Sequence, residues 1–334
     1  MMKTKFVSFS FIVLLILVLA ACANQAAPAT GGAPSGNKTS ESTAEKPKEP
    51  PIAGQTKTIT YLDKQYTVTV PSGKIVITGA LEAMEDALVL GVEPIGAITV
   101  GGKFPDLFKP ITGSSQSIGE KTQPNMETIL KLKPDVILGT TKFQPEVVEK
   151  LAKIAPTIQV SHIATNWEAN LRLMGELTGK QAEAEKVLKQ YKDDVEAAKK
   201  QLGEKWKGKK VVTVRIRNGA LNIYPADVFF NPTIYGELGM DVPDEVKAAK
   251  AQQTISLEQF SAMNPDAIFL QFSEDENKDH LKSLEELQNN PIWGSINAVK
   301  NNKVFVNVVD PLAQGGTSWS KIHFLKAAVQ KLSE

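Results

Sequence analysis

Two stretches of this chain share one pattern: Glu127-Thr-Ile-Leu-Lys-Leu-Lys-Pro134-Asp135-Val-Ile-Leu and, 131 residues later, Glu258-Gln-Phe-Ser-Ala-Met-Asn-Pro265-Asp266-Ala-Ile-Phe-Leu. In each copy a Glu opens a short amphipathic helix, where a carboxylate suits the positive end of the helix dipole. Proline ends that helix, and the apolar run after Pro-Asp is typical of a buried parallel strand. A helix–strand unit that recurs so far along the chain predicts two similar lobes with a cleft between them.

Length and composition are those of a soluble protein with two domains. The chain has 334 residues, of which 42% are hydrophobic and 22% are charged, and its formal net charge is +1. A balance so close to neutral favours neither nucleic acid nor an anionic membrane surface as a partner. Any recognition by charge must therefore come from a local cluster of residues.

The first 54 residues have the pattern of an export signal followed by a tether. Lys3 and Lys5 precede the apolar run of residues 11–20, and Leu19-Ala-Ala-Cys22 resembles the lipobox of bacterial lipoproteins. We expect a signal peptide over residues 1–21, a lipidated Cys22 and a flexible tether over residues 22–54. These features predict a protein that is lipid-anchored on the extracellular face of the cell membrane. The alternative is an ordinary signal peptide followed by a buried Cys.

The body of the chain alternates strands and helices, which favours an α/β fold. Residues 58–62 and 66–70 alternate apolar and polar side chains and predict a β-hairpin. A helix is expected over residues 81–90, with Gly91 as its C-cap. Further strands are expected at residues 74–78, 94–100, 135–139, 157–160, 210–217 and 304–309, and further helices near residues 232–238, 280–287 and 319–332.

One long helix separates the two halves of this pattern. Apolar residues recur there at steps of four and three, which indicates an unbroken amphipathic helix over residues 182–202 rather than a coiled coil. They are Ala184, Leu188, Tyr191, Val195, Ala198 and Leu202. The predicted organisation is an N-terminal α/β lobe (55–178), a connecting helix (179–204) and a C-terminal α/β lobe (205–334).

Signals for catalysis are weak. His162, His280 and His323 stand far apart in the sequence, and Cys22 is the only Cys of the chain. Residues 113–122 imitate a phosphate-binding loop, but the spacing is one residue too long and Glu120 would oppose a phosphate. The sequence therefore predicts neither an enzyme nor a resident cofactor or metal site.

Basic residues give the stronger signal. Arg215 and Arg217 are two apart near the end of a predicted strand, so they share one face, and Lys142 follows another strand. Ligands of open α/β sheets bind outside the carboxyl ends of the strands. Lys121 and Lys250 each lie just before one copy of the repeat. Five cations at such positions predict a cationic cleft for an anion.

With these residues assembled, the chain resembles the siderophore-binding lipoproteins that feed ATP-driven iron importers, in particular the Gram-positive binders of ferric bacillibactin and enterobactin. The resemblance covers essentially the whole mature chain. It is carried by Thr78-Gly-Ala-Leu-Glu-Ala-Met-Glu-Asp, Asn290-Pro-Ile-Trp-Gly, Asp310-Pro-Leu-Ala-Gln-Gly-Gly-Thr, and Arg215-Ile-Arg217 with Lys142 and Lys250. It implies two Rossmann-like lobes on one backbone helix, the architecture of class III periplasmic binding proteins and helical-backbone metal receptors.

The resemblance also implies roles for individual residues. Lys121, Lys142 and Lys250 would face the ferric ligand. Arg215, Arg217 and Asn218 would complete the wall, although relatives commonly have Gln where this chain has Asn218. Glu127 and Glu258 would dock, one per lobe, onto the permease of an ABC transporter. That permease would be a homodimer or a heterodimer with its own ATPase, and the binding protein would be a monomer.

The expected ligand is a ferric tricatecholate, because iron(III) with three catecholates carries a charge of 3− and needs no protein ligand for its iron. At 4 Å and an effective dielectric constant of about 20, each cation would contribute on the order of 4 kcal/mol before desolvation. A neutral ferric hydroxamate would gain little from so many cations, whereas anionic ferric citrate is a credible rival. An extracellular enzyme that processes the siderophore, or a purely structural surface lipoprotein, are alternatives of other classes.

Overall fold

A computed structural model describes residues 54–334, so the predicted signal peptide, Cys22 and almost all of the predicted tether lie outside the described residues. The described chain begins with the predicted hairpin, in which β1 (Gln55–Tyr61) pairs antiparallel with β2 (Lys64–Val70). Leu62 and Asp63 both have positive φ, 45° and 63°. This is the backbone of a two-residue turn whose twist matches that of the strands, and the hairpin prediction is confirmed.

The N-terminal lobe is built on a six-stranded sheet. Its strands are β3 (Ile75–Ile77), β4 (Gly96–Thr99), β5 (Gln116–Glu120), β6 (Gln123–Pro124), β7 (Val136–Thr140) and β8 (Thr157–Val160). They lie in the order β6-β5-β4-β3-β7-β8, and every pair except β5–β6 is parallel. The carboxyl ends of the parallel strands therefore meet at one edge, to which the chain brings its loops.

The C-terminal lobe is built on a five-stranded sheet in the order β11-β10-β9-β12-β13. Its strands are β9 (Val211–Arg217), β10 (Ala220–Ile223), β11 (Gln253–Thr254), β12 (Ala267–Phe272) and β13 (Val304–Val306). On β9, Val212 and Ile216 face a core with Phe260 and Trp293, whereas Arg215 points to the opposite face, as the two-residue period of a strand requires. This alternation directs Arg215 toward the cleft.

Twelve α-helices accompany the two sheets in residues 54–334. They are α1 (Leu81–Leu90), α2 (Lys109–Thr112), α3 (Met126–Leu132), α4 (Pro145–Ala152), α5 (Trp167–Thr178), α6 (Gln181–Trp206), α7 (Asp244–Ala248), α8 (Leu257–Met263), α9 (Ser283–Gln288), α10 (Pro291–Gly294), α11 (Asn297–Lys300) and α12 (Ser318–Ser333).

Three elements that the sequence predicts differ in detail from those of the structure. The helix expected near residue 232 is a π-helix, Pro232–Glu237. The helix expected from residue 280 begins at Ser283. The strand expected to reach residue 309 ends at Val306, because Asn307 has a φ of 49° and its side chain, rather than its backbone, pairs with the backbone of Phe272.

The predicted connecting helix is confirmed as α6, which has 26 residues and is thus about 39 Å long. All six apolar residues of the predicted seam are buried, and Trp206 extends the seam by one turn. The Trp206 indole donates to the carbonyl of Leu332 in α12, at 2.8 Å. The helix therefore packs on the N-terminal lobe through α5 and on the C-terminal part of the chain through α12. No helix of the described chain is both long and apolar enough to cross a membrane.

A buried junction between α1 and α12 joins the two lobes. Glu85 of α1 accepts hydrogen bonds from the backbone of Gln314 and Ser320 and from the hydroxyls of Thr317 and Ser320. These donors surround the first turn of α12, which has no side-chain cap of its own. Because the orphan N–H groups of a helix start need acceptors, Glu85 supplies from one lobe the cap of a helix in the other.

Candidate ligand-binding cleft

The cleft between the lobes brings five of the six predicted ligand-binding residues together. A cavity of about 540 Å³ opens at the carboxyl edges of the sheets and is lined by residues of both lobes. Its basic side chains are Lys121, which follows β5, Lys142, which follows β7, Arg215 and Arg217 on β9, and Lys250, which precedes β11. Two carboxylates, Glu82 and Asp227, also line it, so the lining has a formal charge of +3.

One carboxylate holds both arginines of the cleft. Glu276 accepts from Arg215 Nε at 2.7 Å through one oxygen, and from Arg217 Nη2 at 2.6 Å through the other. Arg215 is only 3% exposed and also donates to the carbonyl of Pro311, at 3.0 Å. Burial lowers the pKa of the Arg215 guanidinium, and Glu276 acts in the opposite direction. Arg215 is thus fully engaged with the protein, whereas Arg217 is more exposed to the cleft.

In the N-terminal lobe, Glu82 has a comparable position between two lysines. Its Oε1 lies 3.9 Å from Lys142 Nζ, while its buried Oε2 has no hydrogen-bond partner. Burial lowers the pKa of the Lys121 ammonium, the charge of Glu82 raises it, and Lys142 lowers it further. Glu82 therefore favours the charged form of Lys121 and also lies within ion-pair distance of Lys142.

Two stacked aromatic rings lie beside Arg215. The rings of Tyr224 and Phe229 stack with their centroids 4.5 Å apart, and the Arg215 guanidinium lies 5.7 Å from the Phe229 ring. Such contacts restrict the guanidinium to one orientation and favour its positive charge.

Asn218 does not line this cleft. It has a φ of 47°, and its backbone N–H donates to the carbonyl of Glu276 at 3.1 Å. The residue instead borders a second, more open cavity of about 550 Å³, which shares Arg217 and Gln252 with the cleft. The turn after β9 thus directs Asn218 past the wall in which the arginines lie.

The two docking candidates occupy equivalent places in the repeat. Glu127 and Glu258 are exposed in the first turns of α3 and α8. Asn125 caps the first helix by accepting from Thr128 N–H, and Ser256 caps the second by accepting from Gln259 N–H. The predicted helix–Pro–Asp–strand unit is therefore present twice, with a side-chain cap at the same position, Asn in one copy and Ser in the other, and with an exposed Glu in each.

The Asp of each copy has a structural role. Asp135 accepts from the backbone N–H groups of Gly73 and Lys74, at 3.0 and 2.9 Å, and Asp266 accepts from that of Lys210 at 2.9 Å. Each aspartate thereby ties the start of its own strand to the start of the neighbouring strand. These hydrogen bonds give the Asp of each copy a role in the fold.

Sequence reasoning missed several polar residues of the cleft and its wall, Asp227 among them. Glu82 lies in the motif that begins at Thr78, but no role was predicted for it. Glu276 lies in a short acidic segment with no distinctive pattern. The Gln252 side-chain oxygen accepts a hydrogen bond from Arg217 Nη1 at 2.7 Å. His162 also lines the cleft and pairs with the Thr141 hydroxyl at 2.7 Å. Within residues 54–334, no group of three or more His, Cys, Asp or Glu side chains could hold a metal ion.

The apparent phosphate loop is part of the sheet. Within residues 113–122, which imitate such a loop, residues 116–120 form β5. Glu120 accepts hydrogen bonds from the Thr99 hydroxyl and from the N–H groups of Gly101 and Gly102. The carboxylate that argued against a phosphate site therefore organises a turn.

Comparison with known proteins identifies the family. Residues 48–307 match the model of the periplasmic binding protein family. The iron-uptake system-binding protein of Bacillus subtilis is 51% identical over 99% of both chains, and a probable siderophore-binding lipoprotein of the same organism, YfiY, is 30% identical over 69% of this chain and 73% of its own.

Solved structures agree with this assignment. The triscatecholate siderophore binding protein FeuA of Bacillus subtilis, crystallised with ferri-bacillibactin, is similar with a TM-score of 0.79 and 54% identity, over 83% of this chain and 98% of its own. Staphylococcus aureus SirA with staphyloferrin B is similar with a TM-score of 0.70 and 28% identity, over 83% of this chain and 98% of its own. The predicted resemblance and the predicted two-lobed α/β fold are confirmed, and the chain belongs to the periplasmic binding protein family.

Proposed function

We propose that this protein captures a ferric tricatecholate siderophore in its interlobe cleft and delivers it to an ABC permease for iron uptake. The observation that carries the proposal is the convergence of five cations from both lobes on one cavity of about 540 Å³. A relative with 54% identity was crystallised with ferri-bacillibactin, which is a ligand of this class.

Charge complementarity supports the ligand class. The lining has five cations and two carboxylates, and Glu276 pairs with both arginines from behind the wall, so the cleft keeps a net formal charge of +2 for a ferric tricatecholate that carries 3−. In a partly buried cleft each close charge pair is worth on the order of 4 kcal/mol before desolvation, so a neutral ferric hydroxamate would forgo most of this attraction. The siderophore fills the coordination sphere of iron, and the protein need only recognise the outer surface of the complex.

The test is a competition titration across siderophore classes. Tryptophan fluorescence should be quenched by ferric bacillibactin or ferric enterobactin at submicromolar concentration, with a weaker response to ferric citrate and to a ferric hydroxamate. A tighter response to citrate or hydroxamate would overturn the ligand assignment. Replacing Lys121, Lys142 and Lys250 together by Ala should abolish binding while the circular dichroism spectrum stays unchanged.

The proposal includes two assignments beyond the ligand. Glu127 and Glu258 dock on the permease, which their exposed and equivalent positions support. Lipidation of Cys22 anchors the protein on the outer face of the membrane, so a Cys22→Ala variant should appear in the medium rather than in the membrane fraction.

A binding role is favoured over an enzymatic one. The relatives named above are described as binding proteins. His162, the histidine of the cleft, pairs with a threonine hydroxyl and has the ammonium of Lys142 nearby. Recovery of the siderophore chemically intact after prolonged incubation with the protein is the expected result, and hydrolysed ligand would refute it.

A further inference from the structure

The cleft exposes two large apolar side chains that the cluster of cations does not explain. Ile163 is 48% exposed and Val228 is 38% exposed, and both line the cavity. Over residues 54–334, the other exposed large apolar side chains lie outside this cavity. They are Leu62, Leu130 and Leu281. An anion site built on charge alone has no use for apolar surface, so these two residues need a reason of their own.

A single glycine turn supports both residues. Ala164, next to Ile163, lies so close to Gly316 that a Cβ on that glycine would be 2.4 Å from the Ala164 methyl group. Phe229, next to Val228, lies equally close to Gly315, where an added Cβ would be 2.5 Å from the Phe229 carbonyl carbon. The segment from the N-terminal lobe and the segment from the C-terminal lobe therefore rest on adjacent residues of one turn.

The support beneath Val228 is rigid. Phe229 has a φ of 62°, which is costly for a bulky side chain and persists only where the surroundings impose it. Its ring packs between Tyr224 and Phe230, with centroid distances of 4.5 and 4.4 Å. Val228 is thereby held in the cleft although no protein group covers much of it.

We propose that Ile163 and Val228 form an apolar clamp, one side chain from each lobe, that packs against the aromatic rings of the siderophore. The inference rests on the proposed function and deepens it. Cations attract any trianion, and thus do not separate a ferric tricatecholate from an aliphatic chelate of equal charge. Apolar contact does, because its free energy depends on the apolar area that the ligand can remove from water.

Two probes of equal charge test the clamp: a ferric tricatecholate siderophore, and the tris(oxalato)ferrate(III) ion, which is also a trianion but has no aromatic ring. Ile163→Ser and Val228→Ser should each lower the affinity for the ferric tricatecholate by about tenfold, since each removes several apolar carbons from the contact. Affinity for the oxalate complex should change less than about twofold. Lys121→Ala should lower the affinity for both probes, because it removes a cation that attracts either trianion.

Matched controls keep the result interpretable. Leu281→Ser replaces an apolar residue that is 56% exposed outside the cleft, and should bind both probes like the unaltered protein. Ile163→Leu and Val228→Leu keep apolar area at the two positions and should keep most of the affinity. Unchanged tricatecholate affinity in both Ser variants, or equal losses for both probes, would overturn the clamp. Failure of the unaltered protein to bind the tricatecholate would instead overturn the proposed function.

Discussion

Among the residues of the cleft, Lys121 combines partial burial with neighbours of both charges. Burial lowers the pKa of its ammonium, Glu82 raises it and Lys142 lowers it. As the pH rises, Lys121 should therefore lose its charge before an exposed lysine would. A bound trianion favours the protonated form, so ligand binding is linked to proton uptake and affinity should fall as the pH rises through the lowered pKa.

The Lys121→Gln variant should remove this part of the pH dependence and weaken binding by at least about tenfold. Titration of the ferric tricatecholate between pH 7 and 10, at constant ionic strength, measures both effects. Lys250→Gln is the matched control, because it removes the same charge from an exposed position of the same cleft. It should weaken binding but retain the pH profile. An identical profile in both variants would contradict the role of Lys121.

A second residue-scale prediction concerns Asp86, which is buried beside Glu85. Burial raises the pKa of Asp86 well above its usual value despite a hydrogen bond from the Ser318 hydroxyl at 2.6 Å, and the charges of Glu85 and Glu82 raise it further. The native state therefore binds this proton more tightly than the unfolded chain. Its contribution to stability is complete below the ordinary pKa of Asp and is lost as the pH rises through the raised pKa.

Asp86→Asn should accordingly increase the free energy of unfolding at pH 8 and flatten its decrease between pH 5 and 8. Glu85→Gln, one residue away, should instead lower the free energy of unfolding, because an amide cannot accept all the donors that now converge on the carboxylate. The expected loss is roughly 1–3 kcal/mol. Denaturant unfolding at several pH values distinguishes the pair, and a destabilised Asp86→Asn protein would refute the argument.

At the scale of elements, the two copies of the repeat end in the same way but with different residues. Lys133 and Asn264 follow α3 and α8 with φ values of 49° and 48°. This left-handed conformation costs about 1–2 kcal/mol for a residue such as Lys, whereas Asn tolerates it. In addition, the Asn264 side chain accepts from the N–H of Asn297 at 2.8 Å and thus ties α8 to α11.

Lys133→Gly should therefore stabilise the protein by roughly 0.5–1 kcal/mol, after the extra entropy of Gly in the unfolded chain is subtracted. Asn264→Gly should destabilise it by about 1 kcal/mol, since it loses the hydrogen bond and gains little backbone relief. Thermal and denaturant unfolding of the two variants provides the comparison. Equal effects in both copies would mean that the left-handed backbone conformation, and not the side chain of the residue that adopts it, decides the stability of this unit.

At the scale of the whole molecule, much of the architecture was predictable because it depends on residues that are close together in the sequence. The seam of α6, the Gly91 cap of α1 and the two Pro-Asp units each depend on residues within a few turns of one another. The five cations could be placed at one cleft because strand order brings carboxyl ends to one edge. Alternation on β9 was enough to put Arg215 and Arg217 on one face.

Contacts between distant segments were not predictable. Glu85 and Thr317 are 232 residues apart, and no local pattern marks a carboxylate on α1 as the cap of α12. Glu276 has the same character, because only the folded chain shows that it bridges Arg215 and Arg217. Asn218 was assigned to the cleft by the family resemblance, whereas the backbone turns at Asn218 and the residue borders the neighbouring cavity.

The last prediction concerns the surface through which the whole molecule meets its partner. α3 and α8 lead into β7 and β12, so their N-terminal ends, with Glu127 and Glu258, lie toward the carboxyl edges of the sheets, where the cleft opens. A permease that grips both carboxylates therefore covers the cleft and receives the ligand directly. Glu127→Ala combined with Glu258→Ala should block iron import while the affinity for the ferric siderophore stays unchanged, and each single variant should reduce import in part.

Glu149→Ala combined with Glu286→Ala removes the same charge from exposed positions on α4 and α9, outside the repeat, and should import normally. Uptake of radioactive iron in cells that depend on this protein measures the difference, and normal import by the first double variant would refute docking through the repeat.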